Sequence, residues 1–332
     1  MIKVAIIANP ASGKDIRRLV AFGSVSDNQE KVNIIRRVLM GLQAARVDEV
    51  IFMPDYFGIG QHALEGLNLS LRTTFLDMPV SASQVDSTYA AECFRHMDVG
   101  CIIVLGGDGT NRAVAKGCGN VPLMPISIGT NNVFPKMVEG TIAGMAAGVV
   151  ANRIADINQL TESTNRLEIE RDGNLIDIAL VDLVVYDDIF IASRAIWDIT
   201  KVREIVLGTS STSNIGFSSI GGCLFPDHKT DEHGVYISLG ENGQEWIAPI
   251  APGLLANVRI QSSHIMEIGE SVEITFKPSI LALDGERELI ANKDDCLFVR
   301  MTNNGPRVVN YKTALDEAAK CGFFHASREV AK

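Results

Sequence analysis

The segment Gly100-Cys-Ile-Ile-Val-Leu-Gly-Gly-Asp-Gly-Thr-Asn111 combines an apolar run, a glycine-rich loop and a stretch that can begin a helix. Cys101–Leu105 is bounded by glycines, which predicts a buried strand. Backbone N–H groups and a helix N-terminus placed in this way can bind phosphate. The carboxylate of Asp108 is unusual in such a loop and predicts a general base, a metal-linked ligand or a group that orients a hydroxyl. The alternative is a tight turn in which this aspartate caps a helix.

Strand and helix patterns alternate through the first 152 residues. They predict strands at 2–8, 47–53, 71–76, 101–105 and 123–128, and helices at 28–46, 82–97, from 111 and at 139–150. This alternation predicts a doubly wound parallel α/β domain with ligands at the carboxyl ends of its strands. Polar loops follow two more of these strands, Asn9-Pro-Ala-Ser-Gly-Lys14 and Gly129-Thr-Asn-Asn132. Three such loops at one sheet edge predict a ligand site, although the first lacks Walker A spacing and is equally typical of an ordinary turn.

The pattern changes after residue 152. Short β-rich runs separated by turn signals lie at 165–170, 174–185, 234–239, 258–262, 271–276, 279–283 and 296–301, with one helix predicted near 196–205. The sequence therefore predicts three parts: an α/β nucleotide-binding domain at 1–152, an antiparallel β-sandwich-like domain at 153–310, and a C-terminal helix at 311–332 that returns to the first domain.

Composition narrows the class of partner. The 332 residues are 46% hydrophobic and 21% charged, with a net charge of −10 and no dense Lys/Arg cluster, so neither nucleic acid nor a membrane surface is expected as a partner. Six cysteines without paired spacing predict free thiols in a reducing, cytoplasmic setting. No apolar run approaches the ~20 residues that span a bilayer.

Three further segments have two interpretations each. The hydroxyl- and glycine-rich stretch 208–222 is either a flexible loop or a ligand cradle. Leu283-Asp-Gly-Glu286 predicts a hairpin turn that carries two carboxylates. The pairs Asp227-His228 and Glu232-His233 lack recognisable ligand spacing, so a solvated loop is favoured over a metal site.

In this order and spacing the motifs resemble the NAD kinase/diacylglycerol kinase superfamily, and most of all its ATP-NAD kinase-like branch, the acetoin-catabolism X proteins. The resemblance covers nearly the whole chain. Asn9–Lys14 looks like the first loop of the lipid-kinase branch, and Gly106–Thr110 is the superfamily signature. The other matching stretches are Gly129–Asn132, Ala179–Val185, Thr209–Gly222, Ala248–Pro252 and Asp284-Gly285.

The resemblance implies a NAD kinase/diacylglycerol kinase-like fold and an ATP- and Mg²⁺-dependent kinase that acts on a small molecule, with no metal fixed by protein ligands alone. It also implies at least a homodimer. Asp108 would take the proton from the attacking hydroxyl. The residues implied to bind nucleotide or its phosphates are Asn9, Ser12, Gly13, Lys14, Gly106, Gly107, Gly109, Thr110, Thr130, Asn131 and Asn132. Asp182, Ser211 and Ser213 would line the acceptor pocket, and Asp284 and Glu286 would lie near the phosphate or a metal ion.

Two departures from the family pattern concern the acceptor. Val181-Asp182 stands where NAD kinases have Asn-Glu, so an amide that would bond to adenosine is replaced by an apolar side chain. Ile215-Gly216 stands where they have Ala-Tyr, which removes an aromatic platform. Losing a hydrogen-bonding partner in such a pocket costs about 1–3 kcal/mol per unpaired group. NAD, giving NADP, is the default acceptor. The alternatives are another hydroxylated metabolite, for example one of acetoin or other C4 metabolism, a lipid, which the acidic surface disfavours, and a non-catalytic nucleotide-binding regulator.

Overall fold

The computed structural model describes residues 1–13, 22, 27–188, 198–228 and 232–325, except for the side chain of residue 287. The strands in these ranges are β1 Lys3–Ala8, β2 Glu49–Phe52, β3 Arg72–Phe75, β4 Cys101–Leu105, β5 Leu123–Ile126, β6 Thr161–Ser163, β7 Arg166–Arg171, β8 Asn174–Ala179, β9 Asp182–Tyr186, β10 Val202–Leu207, β11 His233–Ala251, β12 Leu254–Glu267, β13 Ser271–Glu273, β14 Ser279–Leu283, β15 Glu286–Ala291, β16 Leu297–Thr302 and β17 Arg307–Val309. The helices are α1 Asn28–Ala44, α2 Ile59–Leu64, α3 Gln84–His96, α4 Asp108–Gly117, α5 Gly140–Ala151, α6 Ile157–Leu160, α7 Ser218–Leu224 and α8 Tyr311–Lys320.

The N-terminal lobe is a seven-stranded sheet in the order β3-β2-β1-β4-β5-β17-β6, parallel except for β6. Successive side chains of β1 point to opposite faces: Val4 and Ile6 pack with α1, α5 and α8, whereas Ala5 and Ile7 pack with α3 and α4. Because both faces of the sheet are covered at its centre, the central strands β1 and β4 are apolar and buried after Lys3. The predicted doubly wound parallel α/β architecture is confirmed.

The C-terminal lobe consists of two antiparallel sheets, β12-β11-β10-β9-β14-β15 and β13-β16-β7-β8. Apolar side chains from both sheets form one core, for example Leu183 and Leu281 from the first sheet with Ile169 and Val299 from the second. The outer face of the six-stranded sheet is covered in part by α7, through Ile220. This arrangement confirms the predicted antiparallel sandwich.

Several elements differ from the sequence prediction. The helix predicted near 196–205 is wrong in its described part, where Ile199–Lys201 is a single 3₁₀ turn and β10 follows; residues 189–197 lie outside the described ranges. The two short strands predicted at 234–239 and 258–262 are parts of the long β11–β12 hairpin. The register shifts between Leu239 and Gln244, which both pair with Ile260, so the polar residues 240–243 form a bulge. Pairing from Gln244 to Ala251 then extends the hairpin beyond the strands that the sequence predicts.

The chain returns to the N-terminal lobe twice after residue 152. Strands β6 and β17 pair with each other, and β17 also pairs with β5 at the edge of the first sheet. Helix α8 packs on the same lobe through Ala314 and Ala318. The predicted boundaries at 152 and 310 stay a prediction, with the qualification that β6 and β17 lie in the first sheet.

Candidate active site

Asp108 is the first residue of α4, and Gly107 occupies the cap position before it. Its two carboxylate oxygens both accept a hydrogen bond from the amide of Val133 at 3.1 Å, and Oδ1 accepts another from the amide of Phe134 at 2.8 Å. The side chain is half-buried. The loop after β5 therefore fixes the direction in which this carboxylate points, at the carboxyl end of β4.

Asp108 lies in the wall of a cavity of about 50 Å³ between the two lobes, which we call the Asp108 cavity. Asn131 and Val133 are the other N-terminal residues in its wall. The C-terminal lobe contributes Val181, Asp182, Ile199, Ile215, Gly216, Phe217, Ile250, Ala251, Leu254, Asp284 and Gly285. Four residues to which the resemblance gives different roles thus line one cavity. They are Asp108 as the catalytic residue, Asn131 as a nucleotide contact, Asp182 in the acceptor pocket and Asp284 near the phosphate or a metal ion.

The first loop lies against the glycine-rich loop. The Asn9 side-chain amide donates to Thr110 Oγ1 at 3.0 Å, and the Ser12 hydroxyl donates to Asn9 O at 2.6 Å. Lys31, which is fully buried, shapes this loop because its ammonium donates to the carbonyls of Asn9, Pro10 and Ser12 at 2.7–3.0 Å. Gly13 has a φ of 82°, and Lys14 lies outside the described residues.

Sequence reasoning missed Lys31. The available signal was a lysine on the apolar face of α1, one turn before Ile35.

The glycines of the β4–α4 loop are positions of close approach. A methyl group at Gly106 would lie 2.6 Å from Thr110 Cβ, and one at Gly107 would lie 2.8 Å from Asn132 Oδ1. At Gly109 the nearest atom to a methyl group would be Glu286 Oε1, at 3.2 Å. Side chains from both lobes therefore crowd this loop, and a larger residue would displace them.

The site is chemically suited to a nucleotide and Mg²⁺. Asn131 Oδ1 is buried and has no hydrogen-bond partner among the described residues, so it can accept a bond from a ligand in the Asp108 cavity. The glycine loop leads into the N-terminus of α4, which favours negative charge. Within the described ranges no group of three or more His, Cys, Asp or Glu side chains could hold a metal ion. Mg²⁺ usually binds through one or two carboxylates together with substrate phosphates. Glu286, whose Oε1 lies beside Gly109 of the glycine loop, can supply such a carboxylate.

Asp284 is fully buried and positions the junction between β8 and β9. Its carboxylate accepts hydrogen bonds from the amides of Leu180, Val181 and Asp182 at 2.7–3.3 Å. Burial raises the pKa of Asp284, while Arg112 and the three amides oppose that rise. Backbone amides therefore engage this carboxylate and tie it to the residue before Asp182. The predicted place of Asp284 near the phosphate or a metal ion stays a prediction.

Arg112 is the second charged residue that sequence reasoning missed. It lies one turn after Asp108 on α4, with its side chain 1% exposed, and its guanidinium contacts Glu288 at 2.9 Å, Asp177 at 3.3 Å and Asp284 at 3.7 Å. Burial alone would lower the pKa of Arg112, but the surrounding carboxylates raise it, so the guanidinium stays charged. This buried cluster joins α4 to the C-terminal lobe directly behind the catalytic candidate.

Glu286 and the remaining predicted residues lie outside the Asp108 cavity. Glu286 Oε2 accepts a 2.6 Å hydrogen bond from Gln84 Nε2, beside the first turn of α4. Thr130 is exposed. Ser211 and Ser213 bond to each other through their hydroxyls at 2.9 Å and do not line the Asp108 cavity, so the structure does not bring them to the other predicted residues.

The two positions that depart from the NAD kinase pattern do line the Asp108 cavity. Val181 is buried in its wall, and Gly216 has a φ of 84° with open space where a side chain would be. The neighbouring Phe217 lines the same cavity. The sequence comparison indicated a lost aromatic platform, but the structure shows that an aromatic side chain is present one residue further on.

Comparison with known proteins agrees with this architecture. Residues 4–154 match the model of the ATP-NAD kinase N-terminal domain, and residues 165–304 match that of the acetoin catabolism protein X C-terminal domain. The chain is 38% identical over 331 residues to the acetoin catabolism protein X of Cupriavidus necator, covering 96% of this chain and 92% of that protein.

A candidate diacylglycerol kinase from Bacillus anthracis str. Sterne is similar in two solved structures, at 14% and 15% identity and TM-scores of 0.45 and 0.43. These matches cover 92% of this chain and 96% and 97% of the others. The family resemblance predicted from the motifs is confirmed by the domain models and the curated relative. In the described part of the chain, no helix is long and apolar enough to cross a membrane.

Proposed function

The chain belongs to the acetoin catabolism protein X family, and from this membership and the site geometry we propose that it is an ATP-dependent kinase that phosphorylates a hydroxyl group of a small molecule. NAD is the first candidate acceptor. The observation that carries the proposal is the carboxylate of Asp108, held by two backbone amides in the wall of an interlobe cavity beside a glycine-rich loop.

In this proposal Asp108 takes the proton from the acceptor hydroxyl while that oxygen forms a bond to the terminal phosphorus and the bond to the leaving diphosphate breaks. Phosphoryl transfer depends mainly on alignment and charge stabilisation, so one base and a set of positioned donors are sufficient. The amides of Val133 and Phe134 keep the carboxylate directed at the cavity. The loop Gly106–Thr110 and the N-terminus of α4 bind the phosphates.

ATP supplies the phosphoryl group, and Mg²⁺ neutralises charge on its phosphates when both are bound. Glu286, which lies beside Gly109 of the glycine loop, is the carboxylate that would hold the metal ion together with those phosphates. Asn131, with its unsatisfied buried oxygen, would contact the nucleotide. Asn9 and Asn132 would support the glycine loop, since Asn9 contacts Thr110 and Asn132 lies close to Gly107.

NAD is supported as acceptor by Phe217 and Asp182, which offer an aromatic surface and a hydroxyl-binding carboxylate in the same cavity. A second candidate is a smaller hydroxylated metabolite. It is favoured by the small cavity volume of about 50 Å³, well below the ~300–1,000 Å³ of most ligand pockets, and by an apolar wall that includes Ile199, Ile215 and Leu254. Val181 also favours it, because valine offers no amide to a nucleoside.

The test is to incubate the purified protein with ATP, Mg²⁺ and NAD and to measure NADP formation. The same mixture with acetoin or butane-2,3-diol in place of NAD is followed by ADP release. NADP formation supports the first acceptor, and ADP release with a short alcohol alone supports the second. Saturable ATP binding without transfer to any acceptor would contradict the kinase proposal and leave a nucleotide-binding regulator.

A further inference from the structure

A second, larger cavity lies beside the Asp108 cavity. It has a volume of about 300 Å³ and shares Val133 with its neighbour. Its other walls come from β5, the segment 134–138, residues 162–165, β17, the start of α8, and Leu180, Gly208 and Thr209 of the C-terminal lobe. We call it the Val308 cavity. Its volume reaches the range of small-molecule sites, and the proposed reaction does not use it, although Leu180 and Thr209 in its wall belong to stretches that match the family pattern.

The Val308 cavity has an apolar interior and a positively charged rim. Met124, Leu180, Val138 and Val308 contribute hydrocarbon surface, and the first two are 2% exposed. Lys136 and Lys312 lie at its rim, with exposed side chains that can reach a ligand without being buried themselves. The Lys136 ammonium is anchored by Val133 O at 3.0 Å, which keeps one charge close to the opening.

The N-terminus of α8 adds two donors to the same rim. Asn310 caps this helix: its side chain accepts from the amide of Thr313, and its carbonyl accepts from that of Ala314. In the described residues, the amides of Tyr311 and Lys312, both in the cavity wall, have no such acceptor. The carboxylate in the wall, Glu162, accepts a 2.6 Å bond from Asn310 Nδ2 and opposes two lysines with one charge.

We propose that the Val308 cavity binds a small organic anion, with a carboxylate or phosphate head at Lys136, Lys312 and the first turn of α8, and a short hydrocarbon tail in the apolar interior. A cation would meet two ammonium groups, and a neutral apolar molecule would make no use of the charged rim. The proposal stands independently of the kinase proposal, since binding here needs neither ATP nor Asp108.

A ligand bound in the Val308 cavity should also change the surroundings of residues that line the Asp108 cavity. Val133 lines both cavities, and its amide, with that of Phe134, holds the Asp108 carboxylate. A ligand that packs on Val133 therefore contacts the segment 133–134, whose amides position the carboxylate of Asp108. We expect the methyl signals of Val133 to respond together with those of the cavity interior.

The test is methyl NMR on the full chain labelled at Met, Leu and Val methyl groups, at constant ionic strength. The probes are butyrate, n-propyl phosphate and butyramide, the last being the neutral match of butyrate. We expect one or both anions to shift the signals of Met124, Val138, Leu180 and Val308 saturably, and butyramide to leave them unchanged. The anion that binds more tightly identifies the head group.

Substitutions at the rim sharpen the test. Lys312→Gln and Lys136→Gln should each weaken anion binding about tenfold, since each removes a charge-assisted hydrogen bond, whereas Lys136→Arg should retain it. Lys320→Gln, on an exposed lysine of the same helix outside the cavity, is the matched control and should bind as the parent does. Equal shifts with butyramide, no saturable shift with either anion, or binding that is indifferent to both rim lysines would overturn the proposal.

Discussion

Replacing Arg112 by methionine removes the cation of the buried cluster behind Asp108 while keeping a side chain of similar length. Asp284 should be the carboxylate most affected by the missing cation, because its side chain is fully buried. The side chains of Asp177 and Glu288 are 11% and 24% exposed, so water can compensate their charges. Removing one partner of a buried ion pair costs about 3–5 kcal/mol, because the other charge is left uncompensated. We therefore expect Arg112→Met to lower the free energy of unfolding by about that amount.

The assay is urea unfolding at pH 7, followed by circular dichroism. The matched control is Lys116→Met, which removes a lysine that contacts Asp177 at 2.6 Å but is 33% exposed. A partly exposed pair contributes about 0–1 kcal/mol, so this control should change the free energy of unfolding little. Adding Asp284→Asn to Arg112→Met removes the stranded charge, and we expect a coupling of about 0.5–3 kcal/mol between the two substitutions.

The pH dependence of the Arg112→Met variant provides a second readout. Burial already raises the pKa of Asp284 above 3.8, and Arg112 opposes that rise, so the pKa climbs further in the variant. The native state then takes up a proton before the unfolded chain does as the pH falls. The deficit in unfolding free energy should shrink as the pH is lowered from 7 towards 5. A deficit below about 1 kcal/mol, equal to that of Lys116→Met or independent of pH would refute the reasoning.

Three further predictions concern the fold. Gly144→Ala should lower the free energy of unfolding by about 1–3 kcal/mol in urea titrations, because the added methyl group would lie 2.2 Å from Val38 O where α5 crosses α1; an unchanged midpoint would contradict this packing. Burial raises the pKa of the Cys101 and Cys118 thiols, the latter to about 12, so neither should react with Ellman's reagent at pH 8 until the protein is unfolded, whereas the exposed thiols should react at once. Burial, followed by the charge of Glu204, raises the pKa of Tyr236 to about 12, so its contribution to stability is present below pH 10 and lost as the pH rises towards 12. Tyr236→Phe should flatten the fall in thermal unfolding temperature over that interval, and an identical fall in both proteins would exclude this tyrosine as a cause.

The sequence predicted the N-terminal lobe well because its strands are buried on both faces and its loops carry distinctive residues. β4 begins and ends at the predicted residues, since it is an apolar run bounded by glycines. In the C-terminal lobe, the apolar run β14 also has its predicted bounds. Asp108 was identified as the unusual residue of its loop from local chemistry alone. The structure adds what holds it there, the amides of Val133 and Phe134, which come from a loop that no local pattern connects to it.

The residues that sequence reasoning missed depend on tertiary partners. The role of Arg112 depends on its contacts with Asp177, Asp284 and Glu288 of the C-terminal lobe. Asp177 lies in β8, Glu288 in β15, and Asp284 in the turn between β14 and β15. The sequence of residues 208–222 indicates either a flexible loop or a ligand cradle, and the structure has the helix α7 from Ser218 onward. The hydroxyls of Ser218 and Ser219 donate to the carbonyls of Thr209 and Gly216, and these bonds hold the segment in place of an apolar periodicity. The side-chain orientations of Ser211 and Ser213, whose hydroxyls bond to each other, likewise depend on tertiary contacts that no local pattern shows.

The general-base assignment of Asp108 is the centre of this account, and Asp108→Asn tests it with almost no change in shape. Asn keeps an oxygen that can accept from the amides of Val133 and Phe134 but cannot take a proton from an alcohol. Asp316→Asn, the same change at an exposed position of α8, is the control and should leave the rate unchanged.

The decisive measurement is the turnover rate with ATP, Mg²⁺ and NAD, or with whichever acceptor is phosphorylated, alongside the dissociation constant of ATP. The account predicts that Asp108→Asn reduces turnover by about 10²–10⁴-fold and changes the dissociation constant by less than about tenfold. Turnover close to that of the parent protein, or ATP binding that is lost together with activity, would contradict it.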